Sequence, residues 1–255
     1  MSLVEKVALI TGASSGIGRH LAKVLASEGS QVAVAARREP ELKTLVSEIQ
    51  RDHGPDAARS VRLDVSDGQS IQHAVLQVQE MYGKIDILIN NAGIASEKPT
   101  LHTSLEEYDQ LMQVNVRGPW LLSKCVAQQW IEQTHPGCII NIGSVAGVTA
   151  SSALTLYGTS KAALHHLTKS LAAEWARFNI RVNAIAPGYI LTDMNASFFS
   201  ESPLAKRVFQ RIPQRRIGAL DELDALVKLL VNDVAASYMT GAVIPIDGGH
   251  TCAGL

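Results

Sequence analysis

Two side chains with complementary acid–base chemistry, Tyr157 and Lys161, stand four residues apart. The run that follows them, 162–175, carries Leu164, Leu167, Leu171 and Trp175 at helical spacing. On a helix, positions i and i+4 are neighbours, so a phenol and an ammonium share one patch. A nearby cation favours the phenolate and lowers a tyrosine from its ordinary pKa of about 10. Reaching neutrality would take roughly 4 kcal/mol, at about 1.4 kcal/mol per unit. The result would be an acid/base group usable near neutral pH. Ser144 closes the apolar run 138–143, and its hydroxyl can bond an oxygen lying against the Tyr157 hydroxyl. A Tyr-x-x-x-Lys pair alone is equally an ordinary surface pair, so the rest of the chain has to decide.

The N-terminal end supplies the strongest context. Val7-Ala8-Leu9-Ile10 reads as a buried strand, followed by Thr11-Gly12-Ala13-Ser14-Ser15-Gly16-Ile17-Gly18 and a helical pattern through Leu21, Val24 and Leu25. Glycines that close a strand and open a helix let a phosphate approach backbone N–H groups at the positive helix end. The spacing is G-x-x-x-G-x-G, which differs from the G-x-G-x-x-G dinucleotide fingerprint. The second strand, 31–36, ends in Ala35-Ala36-Arg37-Arg38. An acidic residue there would bind the ribose 2′-hydroxyl of NAD. Two guanidinium groups beside small neutral residues suit the 2′-phosphate of NADP instead. They also read as solvated arginines at a helix start, with Glu39 able to pair with one of them.

Further along, a strand at 60–65 carries Asp64, either an acceptor for an adenine amino group or a turn carboxylate. Ser66 and Asp67 are the better caps for the helix after it. A fourth strand, 85–89, leads into Asn90-Asn91-Ala92-Gly93. Ser104 with Glu107 forms a capping-box pattern. That helix runs through Leu111, Met112 and Val114 to Asn115, is interrupted at Gly118-Pro119, and resumes through Leu121, Leu122, Val126 and Trp130. Strands at 138–143, 180–185 (ending in Ala186-Pro187-Gly188) and 243–249 follow, with a helix opening at Asp221. Alternating helices and apolar strands predict an α/β fold, a parallel sheet of about seven strands covered on both faces. No linker or repeat divides the chain, so a single domain over 1–255 is expected.

Composition narrows the class of function. Of the 255 residues, 46% are apolar and 18% charged, as in a globular domain. A net charge of −1 gives no electrostatic case for nucleic acid or an acidic membrane. Cys125, Cys138 and Cys252 form no CxxC, so neither a disulfide framework nor a zinc cluster is expected. His165 and His166 adjoin the Tyr157 helix start without a metal-like constellation. The start of the chain does not read as a signal peptide, and no apolar run approaches the ~20 residues of a membrane helix. A soluble cytoplasmic protein is expected.

Taken together, the glycine loop, Asp64, Asn90-Asn91-Ala92-Gly93, Asn115, Ser144, Tyr157-Gly158-Thr159-Ser160-Lys161, Pro187-Gly188 with Thr192, and Asp247-Gly248-Gly249 resemble the short-chain dehydrogenase/reductase family. The resemblance covers nearly the whole chain and implies a Rossmann-like doubly wound sheet. It implies that Tyr157 is the general acid in ketone reduction, that Ser144 polarises the ketone oxygen, and that Lys161 binds the nicotinamide ribose and depresses Tyr157. Asn115 would hold a water that relays protons to solvent. Gly12, Ser14, Ser15, Gly16, Ile17 and Gly18 would cradle the pyrophosphate, and Tyr157 would contact the cofactor along with Lys161. Asp64 and Val65 would contact adenine, and Asn91, Ala92 and Gly93 the adenosine ribose. Pro187, Gly188, Ile190 and Thr192 would contact the nicotinamide end. Arg37 matches members that use NADP(H), with Arg38 beside it. The second basic position common in such members, just before the middle glycine, is Ser15 here, which keeps NAD(H) open. Family members are commonly homotetramers, joined through helices that here span about 106–130 and 157–178.

The substrate pocket is expected after Gly93, around 145–153, and under a lid at about 189–219. Met194, Phe198, Phe199, Leu204 and Phe209 suit an apolar ketone or pack the lid itself. Lys206, Arg207, Arg211, Arg215 and Arg216 suit an acidic carrier or form a solvated face. The pattern is close to 3-oxoacyl thioester reductases and to carbonyl or sugar-ketone reductases. An NAD-linked polyol or hydroxysteroid dehydrogenase, and a non-catalytic NADP(H)-sensing module, are the other readings.

Overall fold

The computed structural model describes residues 3–192, 199 and 208–252. Its centre is a seven-stranded, wholly parallel sheet in the order β3-β2-β1-β4-β5-β6-β7. The strands are β1 (Val7–Thr11), β2 (Gln31–Ala36), β3 (Ala58–Arg62), β4 (Ile87–Asn90), β5 (Gly137–Ile142), β6 (Ile180–Pro187) and β7 (Val243–Ile246). Side chains alternate across each strand. Ala8, Ile10, Val32 and Val34 therefore face one helical layer, while Val7, Leu9, Ala33 and Ala35 face the other. The first layer holds α1 (Gly16–Ser27), α2 (Glu39–His53) and α7 (Asp224–Leu230), through residues such as Leu21, Leu45 and Val227. The second holds α3 (Gly68–Tyr82), α5 (Gly118–Glu132) and α6 (Thr155–Trp175), through Val75, Val126 and Leu171. Among the described residues no helix is long and apolar enough to cross a membrane, and no three metal-ligating side chains cluster.

Local signals act where the sequence puts them. Ser104 Oγ accepts from the Glu107 N–H at 3.2 Å, and the Glu107 carboxylate accepts from the Ser104 N–H at 2.8 Å, which starts α4 (Leu105–Met112). Asp67 caps α3 by accepting from the Gln69 N–H at 2.8 Å. Other boundaries differ from expectation. β3 ends at Arg62 rather than at 65, because β2 runs out beside it. Leu63 gives one last N–H bond to the Ala36 carbonyl at 3.0 Å, and the chain turns through Asp64 and Val65. The helix interruption lies at Gln113–Arg117, a widened π-type turn just ahead of Gly118-Pro119. Pro119 has no N–H for the carbonyl four residues back, that of Asn115. Gly118 is needed there too, since a Cβ would sit 2.6 Å from the Val65 carbonyl oxygen. Asp221 falls in a short 3₁₀ turn, Leu220–Leu223, and α7 starts after it. Met194, Phe198, Leu204, Lys206 and Arg207 lie outside the described residues.

A buried polar chain fixes α6 against the sheet. Asn90 Nδ2 donates to Ser123 Oγ (3.1 Å) and to Asn141 Oδ1 (2.9 Å). Asn141 Nδ2 donates to Thr168 Oγ1 at 2.9 Å, which donates to the Leu164 carbonyl at 2.8 Å. All four side chains are buried. The donors of this network meet their acceptors in one register only, so it sets how far α6 slides along β5, with Asn90 Oδ1 left unpaired among the described residues.

Candidate active site

In an open parallel sheet the crevice lies beyond the carboxyl ends of the strands, where the strand order reverses. Here the order reverses between β1 and β4. A cavity of about 650 Å³ opens at that rim. It is lined by Gly12, Ser14, Ser15, Gly16, Ile17, Arg37, Arg38, Asp64, Val65, Asn91, Ala92 and Gly93 towards one end. Ser144, Tyr157, Lys161, Pro187, Gly188, Ile190 and Thr192 line the other. Two sequence-predicted residues do not line it. Gly18 lies behind the loop, where a Cβ would meet Asn91 Nδ2 and the Gly12 carbonyl. Asn115 is buried behind Lys161. Ser66, Gln110 and Val114 also line the cavity. Nothing in their local sequence marks them out, because Val114 has the spacing of an ordinary core residue.

The glycine loop has the form of an anion cradle. Gly12 sits at φ +67°, and a Cβ there would lie 2.8 Å from Ala92 Cα. Gly16 has φ +55°, and a Cβ there would lie 3.7 Å from Thr192 Cγ2. Ser15, the residue before α1, makes no side-chain cap, and the first turn holds no acidic residue. The N–H groups of that turn are therefore left for an anion. Asn91 holds the loop in place: its Nδ2 donates to the Thr11 carbonyl at 2.9 Å, and Thr11 Oγ1 accepts from the Asn91 and Ala92 N–H groups at 3.0 Å each.

The two arginines differ. Arg38 bends back over the loop, with Nε and Nη2 on Ser14 Oγ at 3.2 and 2.9 Å and Nη2 on Ser15 Oγ at 2.7 Å. Its guanidinium thus lies over the loop at Ser14 and Ser15. Arg37 is exposed and makes no ion pair among the described residues. Glu39 turns instead to Arg62 at 3.5 Å, so it neutralises neither arginine. Burial works to raise the Asp64 carboxyl, but hydrogen bonds from Ser66 and the charge of Arg37 bring it below the usual carboxylate range. Asp64 Oδ1 takes both the Ser66 hydroxyl (2.6 Å) and the Ser66 N–H (3.0 Å), the turn role of the two open in the sequence.

At the far end, Lys161 is 5% exposed, and Nζ donates to the Ile142 carbonyl at 2.9 Å. Burial pulls its ammonium down to about 8. Nζ lies 5.7 Å from the centre of the Tyr157 ring. Tyr157 departs from the sequence expectation. Burial raises its phenol above the ordinary value, and the Ser144 hydroxyl works against that rise without overcoming it. Burial of the phenol is the larger effect, while Lys161 donates to the Ile142 carbonyl and stands over the ring. Ser144 Oγ accepts from the Ala146 N–H at 3.1 Å, which sets its turn. The Asn115 amide is fully engaged as a donor, with Nδ2 on the Ile94 carbonyl at 2.9 Å and on Ser160 Oγ at 3.0 Å. Ser160 Oγ donates to the Tyr157 carbonyl at 2.7 Å. Asp247 accepts from Gly249 and Thr251, and the turn it makes packs on Gly188, whose Cβ would lie 2.8 Å from Asp247 Cα.

Comparison with known proteins agrees with this architecture. A family model described as enoyl-(acyl carrier protein) reductase matches residues 12–251. The 3-oxoacyl-acyl-carrier-protein reductase FabG of Aquifex aeolicus is 38% identical over 249 residues, 98% of each chain. An NAD-dependent glycerol dehydrogenase of Listeria innocua is 34% identical over 250 residues, covering 98% of this chain and 95% of that protein. A gluconate 5-dehydrogenase from Burkholderia cenocepacia, solved with NADP and tartrate, superposes with a TM-score of 0.92 at 34% identity, over 99% of this chain and 98% of that one. The chain belongs to the short-chain dehydrogenase/reductase family. It is an oxidoreductase of the CH–OH/C=O couple that works with a nicotinamide dinucleotide.

Proposed function

We propose that the protein is an NADP(H)-dependent ketone reductase that also runs the reverse alcohol oxidation, with residues 1–255 forming one cofactor-binding and catalytic domain. The observation that carries this reading is a single groove with Ser144, Tyr157 and Lys161 at one end and Arg37 and Arg38 at the other. The uncapped start of α1 and the glycine cradle fit a pyrophosphate. Arg37 and Arg38 fit a 2′-phosphate. Asp64 and Val65 suit the adenine, Asn91 to Gly93 its ribose, and Pro187, Gly188, Ile190 and Thr192 the nicotinamide end.

The bound cofactor supplies the hydride; the chain supplies the rest. Tyr157 gives its proton to the ketone oxygen, and Ser144 donates a hydrogen bond to the same oxygen, where negative charge develops. A phenol raised by burial is a proton donor held in its neutral form at neutral pH. Lys161 reaches ribose hydroxyls and offsets the charge left on Tyr157 as the proton departs. Asn115 ties Ile94 to Ser160 and so to the first turn of α6. With both of its amide hydrogens engaged and its Oδ1 accepting from the Ile94 N–H at 2.9 Å, a relay water would be met by its main-chain carbonyl, which Pro119 leaves without a helical donor.

Initial rates with NADPH and NADH across an acetoacetyl thioester, a diketone, an aryl ketone, an α-keto ester and a keto-sugar test the proposal. NADPH turnover on the thioester supports a 3-oxoacyl role, matching what the Aquifex relative is named for. Turnover on free ketones alone supports a carbonyl or sugar reductase. Preference for NADH favours a second reading, an NAD-linked polyol or hydroxysteroid dehydrogenase, which the name of the Listeria relative supports. Cofactor binding without turnover favours a sensing module. We also infer a cytoplasmic homotetramer. Trp120 is 42% exposed beside an open cavity of about 430 Å³ that Met112, Val116 and Leu167 also line, and a second subunit would cover it. Sedimentation equilibrium tests that assembly.

A further inference from the structure

α6 presents a run of polar side chains to the end of β5. Lys161 takes the Ile142 carbonyl and Thr168 takes Asn141. Between them, one turn after Lys161, lies His165. It is 6% exposed, and no step described above uses it. Its ring stands against both glycines that bracket the Ser144 turn. A Cβ on Gly143 would collide with His165 Nε2, and one on Gly147 would lie 2.8 Å from Cε1. Nε2 has no hydrogen-bond partner among the described residues. Burial, and then the charge of Lys161, drive the imidazole down to about 4, so the ring is neutral at physiological pH.

An orphaned ring nitrogen in the interior is a cost that an aliphatic side chain would not carry. What the imidazole supplies is a flat, rigid body in the space two Cβ atoms would fill, and a hydrogen bond to the Gly147 backbone that works against the fall in its pKa. The turn it backs is short. Gly143 is tied to β6 by its N–H on the Ile185 carbonyl at 2.7 Å. Gly147 closes the turn by its N–H on the Ser144 carbonyl at 3.0 Å. Two glycines in five residues leave the ends of that turn without side chains to hold them, and glycine loses more conformational freedom on ordering than any other residue.

We propose that His165 is a positioning residue for Ser144: the imidazole, wedged against Gly143 and Gly147, holds the 144–147 turn so that the Ser144 hydroxyl faces Tyr157. His165 reaches neither the substrate nor the cofactor and acts only through the turn. The proposal rests on the Ser144–Tyr157 chemistry given above.

His165→Ala tests it in the full-length enzyme. The variant is expected to lower kcat about 10-fold or more, because sub-ångström misplacement of a reacting group costs up to about 100-fold. KM for NADPH should stay within about twofold, and amide exchange across 144–149 should quicken while the β1 and α1 amides keep their protection. On a Ser144→Ala background the same change should cost less than about twofold, since residues acting as a unit are non-additive. Gly143→Ala, which presses on the ring from the other side, should lower kcat by itself. Its pairing with His165→Ala should recover part of that loss. Unchanged kcat in His165→Ala, an equal loss on both backgrounds, or no recovery in the pair would overturn the positioning role while leaving Ser144 in place. Full activity in Ser144→Ala alone would overturn both that role and the catalytic reading it rests on.

Discussion

Replacing Arg37 and Arg38 one at a time separates two jobs that the sequence lumps together. Arg37 is exposed and in no ion pair among the described residues, so Arg37→Ala removes a charge whose effect within the chain is on the Asp64 carboxylate. A charge-assisted hydrogen bond contributes about 1.5–3 kcal/mol, and an exposed one falls at the low end. About 1.5 kcal/mol is roughly a tenfold rise in the NADPH dissociation constant. NADH, which lacks the phosphate, should bind Arg37→Ala as it binds the parent. Arg38 bonds Ser14 and Ser15 with its side chain 54% exposed, so Arg38→Ala both removes a charge and frees the loop. Losing those contacts to neutral hydroxyls costs about 1 kcal/mol, or about fivefold, for either cofactor. Arg38→Ala should therefore weaken NADH about fivefold and NADPH by about 50-fold. Titration of reduced-nicotinamide fluorescence at low and moderate salt reads both constants, and the NADPH-specific part should shrink as salt rises. If Arg37→Ala weakens NADH as much as NADPH, or spares both, the 2′-phosphate assignment is wrong. If Arg38→Ala leaves NADH binding untouched, the contacts to Ser14 and Ser15 do not order the loop.

Three further outcomes are expected. Tyr157→Phe removes the proton donor with little change in shape, so kcat should fall about 10²–10⁴-fold with the NADPH dissociation constant nearly unchanged; stopped-flow hydride transfer and fluorescence titration check the two halves. Thr168→Val keeps the volume but leaves Asn141 Nδ2 without its 2.9 Å acceptor in a fully buried place, and urea unfolding should show a loss of about 1–3 kcal/mol. His165, held near 4 by burial and by the charges of Lys161 and Lys169, stays neutral in the fold while the unfolded chain protonates near the ordinary value of 6.5. The unfolded state thus binds the extra proton between those values, and stability falls as pH drops through that window, by about 1–2 kcal/mol at about pH 5 after allowance for solvent screening. His165→Leu should flatten that slope in paired unfolding curves.

The features legible in the chain are those whose cause is local. The Ser104 capping box and the Asp67 cap span three residues or fewer, and each formed where its residues stand. The strands followed from apolar runs long enough to be buried on both faces, and the glycine loop from its place between a strand and a helix. Boundaries slipped where a neighbour decides them: β3 stops because β2 does, and the π-type turn precedes Pro119 because a missing N–H is felt one turn back. The site itself depends on contacts far apart in sequence. Arg38 meets Ser14 across 24 residues, a contact that no local spacing announces. Asn115 reaches Ser160 across 45, so the partners of its amide lie beyond any local pattern. The raised Tyr157 phenol follows from the same limit. Spacing alone puts Lys161 beside Tyr157, and a cation nearby argues for a lowered pKa. Burial acts on the phenol itself, however, and outweighs the hydrogen bond from Ser144, while one donor of the ammonium goes to the Ile142 carbonyl. What the sequence does carry for His165 is indirect, in two glycines bracketing Ser144. Residues without side chains there leave room for one from elsewhere, and α6, in the register that Thr168 and Asn141 fix, brings the imidazole into it.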